Sequence, residues 1–168
     1  MAIKKAIFKT SAFFKGFLLP LAEDATAREA VIIGSILAKM SINNLDSAAA
    51  LMKLLEMPYL VGSGYFIKTI LAKRYALPTQ VIKSLVEFFH RYQEKTEEDF
   101  EVMPVMWHQT LYTLVQCYRP YLTADDVSKI KSLIKMQFHK LITPEIRKAL
   151  GSQHTGDEQL NEGIMHLE

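Results

Sequence analysis

The chain has a single cysteine, Cys117, so no disulfide can form within it, and this usage suits a reducing compartment such as cytosol or nucleus. Long hydrophobic runs are missing too. The strongest, Ala30 to Ala38, contains Gly34 and Ser35 and stops at Lys39, well below the roughly 20 residues that cross a bilayer. The N-terminal lysines are followed by Phe13-Phe14-Lys15 rather than by a secretory core and cleavage pattern, so no signal peptide is read. Strand-type alternation is scarce. Gly62-Ser63-Gly64 lacks the preceding strand, the further glycine and the Lys-Ser/Thr ending of a phosphate loop. His108 and Cys117 are too far apart along a helix to share a metal, and no second cysteine exists. His90, His139, His154 and His166 form no recognisable nucleophile-and-base signature, although a triad could be assembled from distant residues. Neither a catalytic centre nor a cofactor is therefore expected.

What remains is a chain of helix signals. A length of 168 residues with 49% hydrophobic content fits one globular domain with a substantial core. The most informative stretch is Tyr65 to Phe89. Phe66, Ile67, Ile70 and Leu71 repeat at helical spacing, Pro78 breaks the helix and opens the next, and Val81, Ile82, Leu85, Val86 and Phe89 form the second stripe. Each helix buries one face, so neighbouring pairs must supply the rest of the core.

The same pattern runs along the chain. Ser11 to about Ala22 carries Phe13, Phe14, Phe17, Leu18 and Leu21, with Pro20 expected to bend or shorten that helix. Thr26-Ala-Arg-Glu29 has the form of a capping box for a helix to about Met40. A polar turn, Ser41 to Asp46, precedes a helix through Leu51 and Leu55 that stops near Met57-Pro58, and Gly62 and Gly64 are expected to loosen the chain before Tyr65. Glu94 to Glu101 reads as an exposed connector. Pro104 opens a helix through Trp107, which is expected to be buried, with Leu111, Leu114 and Tyr118. Thr123 and two acids start the next helix, whose face is Val127, Ile130, Leu133, Ile134 and Phe138. Thr143-Pro144-Glu145 starts a last short one, ending near Gly151. The fold class is all-α: stacked helical hairpins in a HEAT-like superhelix over residues 1–150, then a polar tail, 151–168, read as disordered. No crisp repeat motif is visible.

Charge is unevenly placed. The tail holds Asp157, Glu158, Glu162 and Glu168 and no Lys or Arg, so the body sets all 20 basic residues against the other 14 acids, a balance of +6. Lys4, Lys5, Lys9 and Lys15 lie near Phe8, Phe13 and Phe14, and Lys129, Lys131, Lys135 and Lys140 decorate the helix expected before Ile142. Either cluster is a candidate for phosphate contact or simply a solvated helix face. Tyr65, Tyr75, Phe88 and Tyr92 exceed what one buried stripe needs; they are candidates for a protein-binding groove or for a thicker core. For Trp107-His108-Gln109 two readings compete. His108 is either a base beside a stacking platform or a hydrogen-bonded core neighbour.

Lys5-Ala-Ile-Phe-Lys9, Ala12-Phe-Phe-Lys-Gly-Phe-Leu-Leu-Pro20, Arg28-Glu-Ala-Val-Ile-Ile-Gly-Ser35, Ala72-Lys-Arg-Tyr-Ala-Leu-Pro78, Pro104-Val-Met-Trp-His-Gln109 and Ile142-Thr-Pro-Glu-Ile-Arg147 together, in this order, resemble the bystin family. The resemblance covers most of residues 3 to 150. It implies a non-enzymatic assembly factor of the small ribosomal subunit, acting in rRNA processing in nucleus and nucleolus and passing to the cytoplasm on the pre-40S particle. The partners it implies are pre-ribosomal RNA, small-subunit head ribosomal proteins and the low-temperature-viability assembly factor, with no membrane. Family members carry a long N-terminal extension absent here, so Met1 is expected to mark a fragment boundary. A protein-only adaptor, for example in cell adhesion, is the alternative.

Overall fold

The computed structural model describes residues 15, 18–24, 26–93 and 102–151. Among them are eight α-helices, one 3-10 turn and no strand: α1 (Leu19–Asp24), α2 (Ala27–Lys39), α3 (Asn44–Glu56), α4 (Val61–Ala72), α5 (Thr79–His90), α6 (Val105–Tyr118), the turn Arg119–Tyr121, α7 (Ala124–Met136) and α8 (Ile142–Gly151).

The helix starts follow local chemistry. Thr26 Oγ1 accepts from Glu29 N at 3.3 Å, and Asn43 Oδ1 accepts from Asp46 N at 2.7 Å. The reciprocal capping box forms at Thr123, whose Oγ1 accepts from Asp126 N at 3.2 Å while Asp126 Oδ2 accepts from Thr123 N at 3.0 Å. Pro78 and Pro104 stand one position earlier than a first helical residue, as the N-caps of α5 and α6. Pro20 is the second residue of α1. Leu18, just before α1, is π-helical, and much of the segment in which Pro20 is expected to bend or shorten the helix lies outside the described residues. Helix α4 ends in a turn at Arg74, whose φ of 55° is left-handed.

Each helix packs on the helix two further along the chain. One row runs α2, α4, α6, α8; a second runs α3, α5, α7, with α1 against α3 and α4. Hydrogen bonds fix the direction. Thr110 Oγ1 near the start of α6 donates to Gly64 O near the start of α4 at 3.2 Å, and Tyr118 Oη at the end of α6 donates to Tyr75 O beyond the end of α4 at 2.7 Å. Met103 N before α6 donates to Gln137 Oε1 before α8 at 3.1 Å, while Arg119 Nε after α6 donates to Leu150 O in the last turn of α8 at 3.1 Å. Neighbours within the row are thus parallel. One continuous core lies between the rows, and Trp107, Phe66, Phe88 and Phe89 are fully buried in it.

Two expectations fail, one for a steric reason and one because a helix ends early. Gly62 and Gly64 do not loosen the chain; with Ser63 they are buried in the first turns of α4. A Cβ on Gly64 would stand 2.5 Å from the Tyr59 ring, so glycine is what lets that ring lie against the helix. Phe138, expected on the buried face of α7, lies beyond the helix end and is 53% exposed. The connector 94–101 and the tail after Gly151 lie outside the described residues.

His108 is a core residue. Its ring packs edge-on to Trp107 at 5.0 Å between centroids and lies 5.3 Å from His139. Burial, reinforced by His139 and partly offset by a hydrogen bond with the Met103 backbone, lowers its pKa from 6.5 to about 4.

Three outcomes test this packing. Trp107→Ala should cost about 3–5 kcal/mol in a denaturant melt; a loss below about 1 kcal/mol would place the indole outside the core. Gly64→Ala gains about 1 kcal/mol of helix propensity but overpacks against Tyr59 at about 1–3 kcal/mol. Net destabilisation is expected, relieved by adding Tyr59→Ala, and a plain stability gain from Gly64→Ala would refute the close contact. Because the folded state holds His108 neutral below its unfolded pKa, its contribution is complete above about pH 6.5. Stability should fall by roughly 2–3 kcal/mol as pH drops from there towards 4. His108→Leu should remove that component, and superimposable pH profiles for the two proteins would contradict it.

Candidate functional site

The three lysines of α7 do not share a fate. Lys129 faces α5: its Nζ bonds Glu87 and lies 3.3 Å from Asp125 Oδ2, and these two carboxylates raise its pKa. Lys131 and Lys135, one turn apart, face α8 instead. With Ile134, Arg147 and Leu150 they line a groove of about 290 Å³. Lys131 also borders an adjoining hollow of about 360 Å³, shared with Arg119, Leu122, Ala124, Val127 and Ser128. Among the described residues no carboxylate lines either space.

The result is a cationic ledge of Arg119, Lys131, Lys135 and Arg147. Aromatic rings accompany it: the Arg147 guanidinium lies 5.9 Å from the Phe138 ring centroid, and Tyr121, in the same turn as Arg119, is 63% exposed. Of the N-terminal lysine cluster, Lys15 is exposed, and Lys4, Lys5 and Lys9 lie outside the described residues. Reading the sequence by clusters missed Arg119 and Arg147, because each is brought to Lys131 by helix packing rather than by nearness in the chain.

The four aromatic candidates are also divided. Phe88 is fully buried and offers nothing to a partner; it packs edge-on to Phe89 and Tyr92. Tyr92 is half-buried, and its hydroxyl accepts from Tyr59 N at 2.7 Å. Tyr75, likewise half-buried, accepts from Ile42 N at 3.3 Å through its hydroxyl. Tyr65 lines an open groove, about 540 Å³ between α2 and α4, with Val31, Gly34, Ala38, Lys68, Thr69, Ala72 and Lys73 among its walls. The groove partner of Tyr65 is thus α2 and not α5.

No catalytic arrangement emerges at His108, whose Nδ1 is buried without a hydrogen-bond partner among the described residues. Among the described residues no cluster of three metal-ligating side chains occurs, and no helix is long and apolar enough to cross a membrane.

A sequence model of the bystin family matches residues 1–160. The chain is 44% identical over 161 residues to the bystin of Monosiga brevicollis, covering 95% of this chain and 38% of that protein. It is 44% identical over 154 residues to human bystin, covering 90% of this chain and 34% of that protein, and 40% identical over 163 residues to the Drosophila melanogaster protein, covering 96% and 36%. The chain therefore spans little more than a third of the length of these relatives, and within that span its matched sequence places it in the bystin family.

Proposed function

We propose that this chain is a non-enzymatic ribosome biogenesis factor, a docking scaffold in pre-40S assembly and pre-rRNA maturation. Family membership supports the assembly role. The parallel rows α2-α4-α6-α8 and α3-α5-α7 support the finer architecture, a solenoid of stacked helical hairpins, which offers long surfaces for docking. On this reading it works without a cofactor, in nucleus and nucleolus and then on the exported particle.

The observation that carries RNA contact is the ledge. Three cations, Lys131, Lys135 and Arg147, share one groove with no carboxylate among the described lining residues. A solvated helix face normally mixes both signs, as Lys129 does with Asp125 and Glu87. Phosphates bound at the ledge would release counterions, giving affinity that is largely independent of sequence. Phe138 and Tyr121 offer exposed faces to unstacked bases. Head ribosomal proteins and the low-temperature-viability factor are the protein partners proposed.

A second reading, the protein-only adaptor, draws on the groove between α2 and α4, where Val31 is 46% exposed and the walls are mostly small or apolar, with Lys68 and Lys73 among them engaged by Gln109 Oε1 and by the Ala38 and Met40 carbonyls. A peptide held there by its apolar side chains would bind with less dependence on salt than an RNA on the ledge.

Salt titration separates the two. Binding of a single-stranded RNA should weaken steeply with salt, and Lys131→Glu with Lys135→Glu and Arg147→Glu should cut affinity at least about tenfold and flatten the slope by about 2 for three lost contacts. Lys129→Ala should do much less, since its charge is already matched. RNA affinity unchanged by the triple reversal would remove the ledge from the interface.

A further inference from the structure

The groove between α7 and α8 is matched in charge and reach by the sequence that follows it in this chain. Its described walls carry Lys131, Lys135 and Arg147 and no acid, and Leu150, the residue before the end of α8, is itself part of the wall. The sequence that follows Gly151 is of opposite sign. It holds Asp157, Glu158, Glu162 and Glu168 with no Lys or Arg, and Leu160, Ile164, Met165 and Leu167 between them. The six residues from Ser152 to Asp157 extend to at most about 20 Å, so the first carboxylates of the segment are within range of cations that begin at its point of attachment.

We infer that the acidic segment 157–168 of this chain docks in the α7–α8 groove, where its carboxylates lie against Lys131, Lys135 and Arg147 and exclude other polyanions. Single exposed ion pairs are weak, but tethering changes the balance. A short linker holds the segment near the groove at an effective concentration on the order of millimolar, so even a weak complex is populated. Lys129, already matched by Glu87 and Asp125, takes no part. The consequence is a scaffold whose cationic ledge is screened until a stronger polyanion displaces the segment. The inference shares this ledge with the RNA reading but needs no RNA to be true.

The experiment uses the full chain of 168 residues beside the variant carrying Asp157→Asn, Glu158→Gln, Glu162→Gln and Glu168→Gln. Lysine acetylation by acetic anhydride is followed by mass spectrometry, with exposed Lys83 on α5 as the internal reference. Lys131 and Lys135 should react several-fold faster in the variant at low salt, and the difference should close in about 1 M salt, where the Debye length is about 3 Å. Carbodiimide should also crosslink them within one native chain to residues of 157–168. Equal acetylation in the two proteins overturns the proposal. So do crosslinks found only in dimers, which would assign the segment to a second copy. An oligouridylate supplies the separate arm. Several-fold tighter binding to the variant supports competition, equal binding refutes it, and binding to neither sinks the RNA reading while the acetylation result decides the docking.

Discussion

Trp107 is the joint on which both rows depend. It sits on α6, the helix flanked by α4 and α8, and its indole meets Phe89 at 5.4 Å and Tyr92 at 6.3 Å, both from the α5 end of the other row. Phe88 and Tyr59 continue the same cluster through edge-on contacts with Tyr92. Large rings suit this place because edge-on pairs span the gap between rows at fixed angles, which a flexible aliphatic side chain does not do. His108 follows from the same burial. A ring placed beside the indole is stripped of water, and it stays neutral for that reason.

Between α2 and α5 a regularity is present that the composition does not display. Side chains after one helix satisfy backbone groups around the preceding helix of the same row: Tyr75 Oη accepts from Ile42 N, Tyr92 Oη from Tyr59 N, Arg91 Nη2 donates to Leu55 O and Lys73 Nζ to Met40 O. The separations are 33, 33, 36 and 33 residues. Loop amides and carbonyls buried between hairpins need partners, and the next hairpin provides them with a hydroxyl, a guanidinium or an ammonium. Different residue types perform one task, so no common motif marks the period. This also explains the surplus tyrosines. Tyr75 and Tyr92 bring an apolar ring to the core and a hydroxyl to a loop, a use that looks like spare hydrophobicity when only the stripe is counted.

The helices themselves were legible wherever a local rule decided them. Thr26, Thr123, Pro78 and Pro104 each set a start through capping or through a fixed φ, and the stripes of α5 and α7 named most of their buried residues. Legibility ended where two elements meet. Gly62 and Gly64 read as loosening by composition, yet the Tyr59 ring makes Gly64 a packing residue. Lys129 and Lys131 are two residues apart and look alike in the sequence, but they point to different neighbours, one to Glu87 and the other towards Arg147. Residue spacing gives the face of a helix; what stands opposite that face is tertiary information.

The ledge can be weighed against a purely structural origin. Among the described residues no helix covers the outer side of α7 and α8, and a helix face turned to water is normally polar. That condition is met by polarity of either sign, and mixed charge meets it with least self-repulsion. The exposed side of α7 nearest α5 follows that rule, pairing Lys129 with two acids. The side nearest α8 does not: Lys131, Lys135 and Arg147 converge without a neutralising carboxylate in the described wall, and Phe138 lies exposed beside the guanidinium. Convergent like charges repel one another, a cost that solubility alone does not require and that an anionic occupant removes.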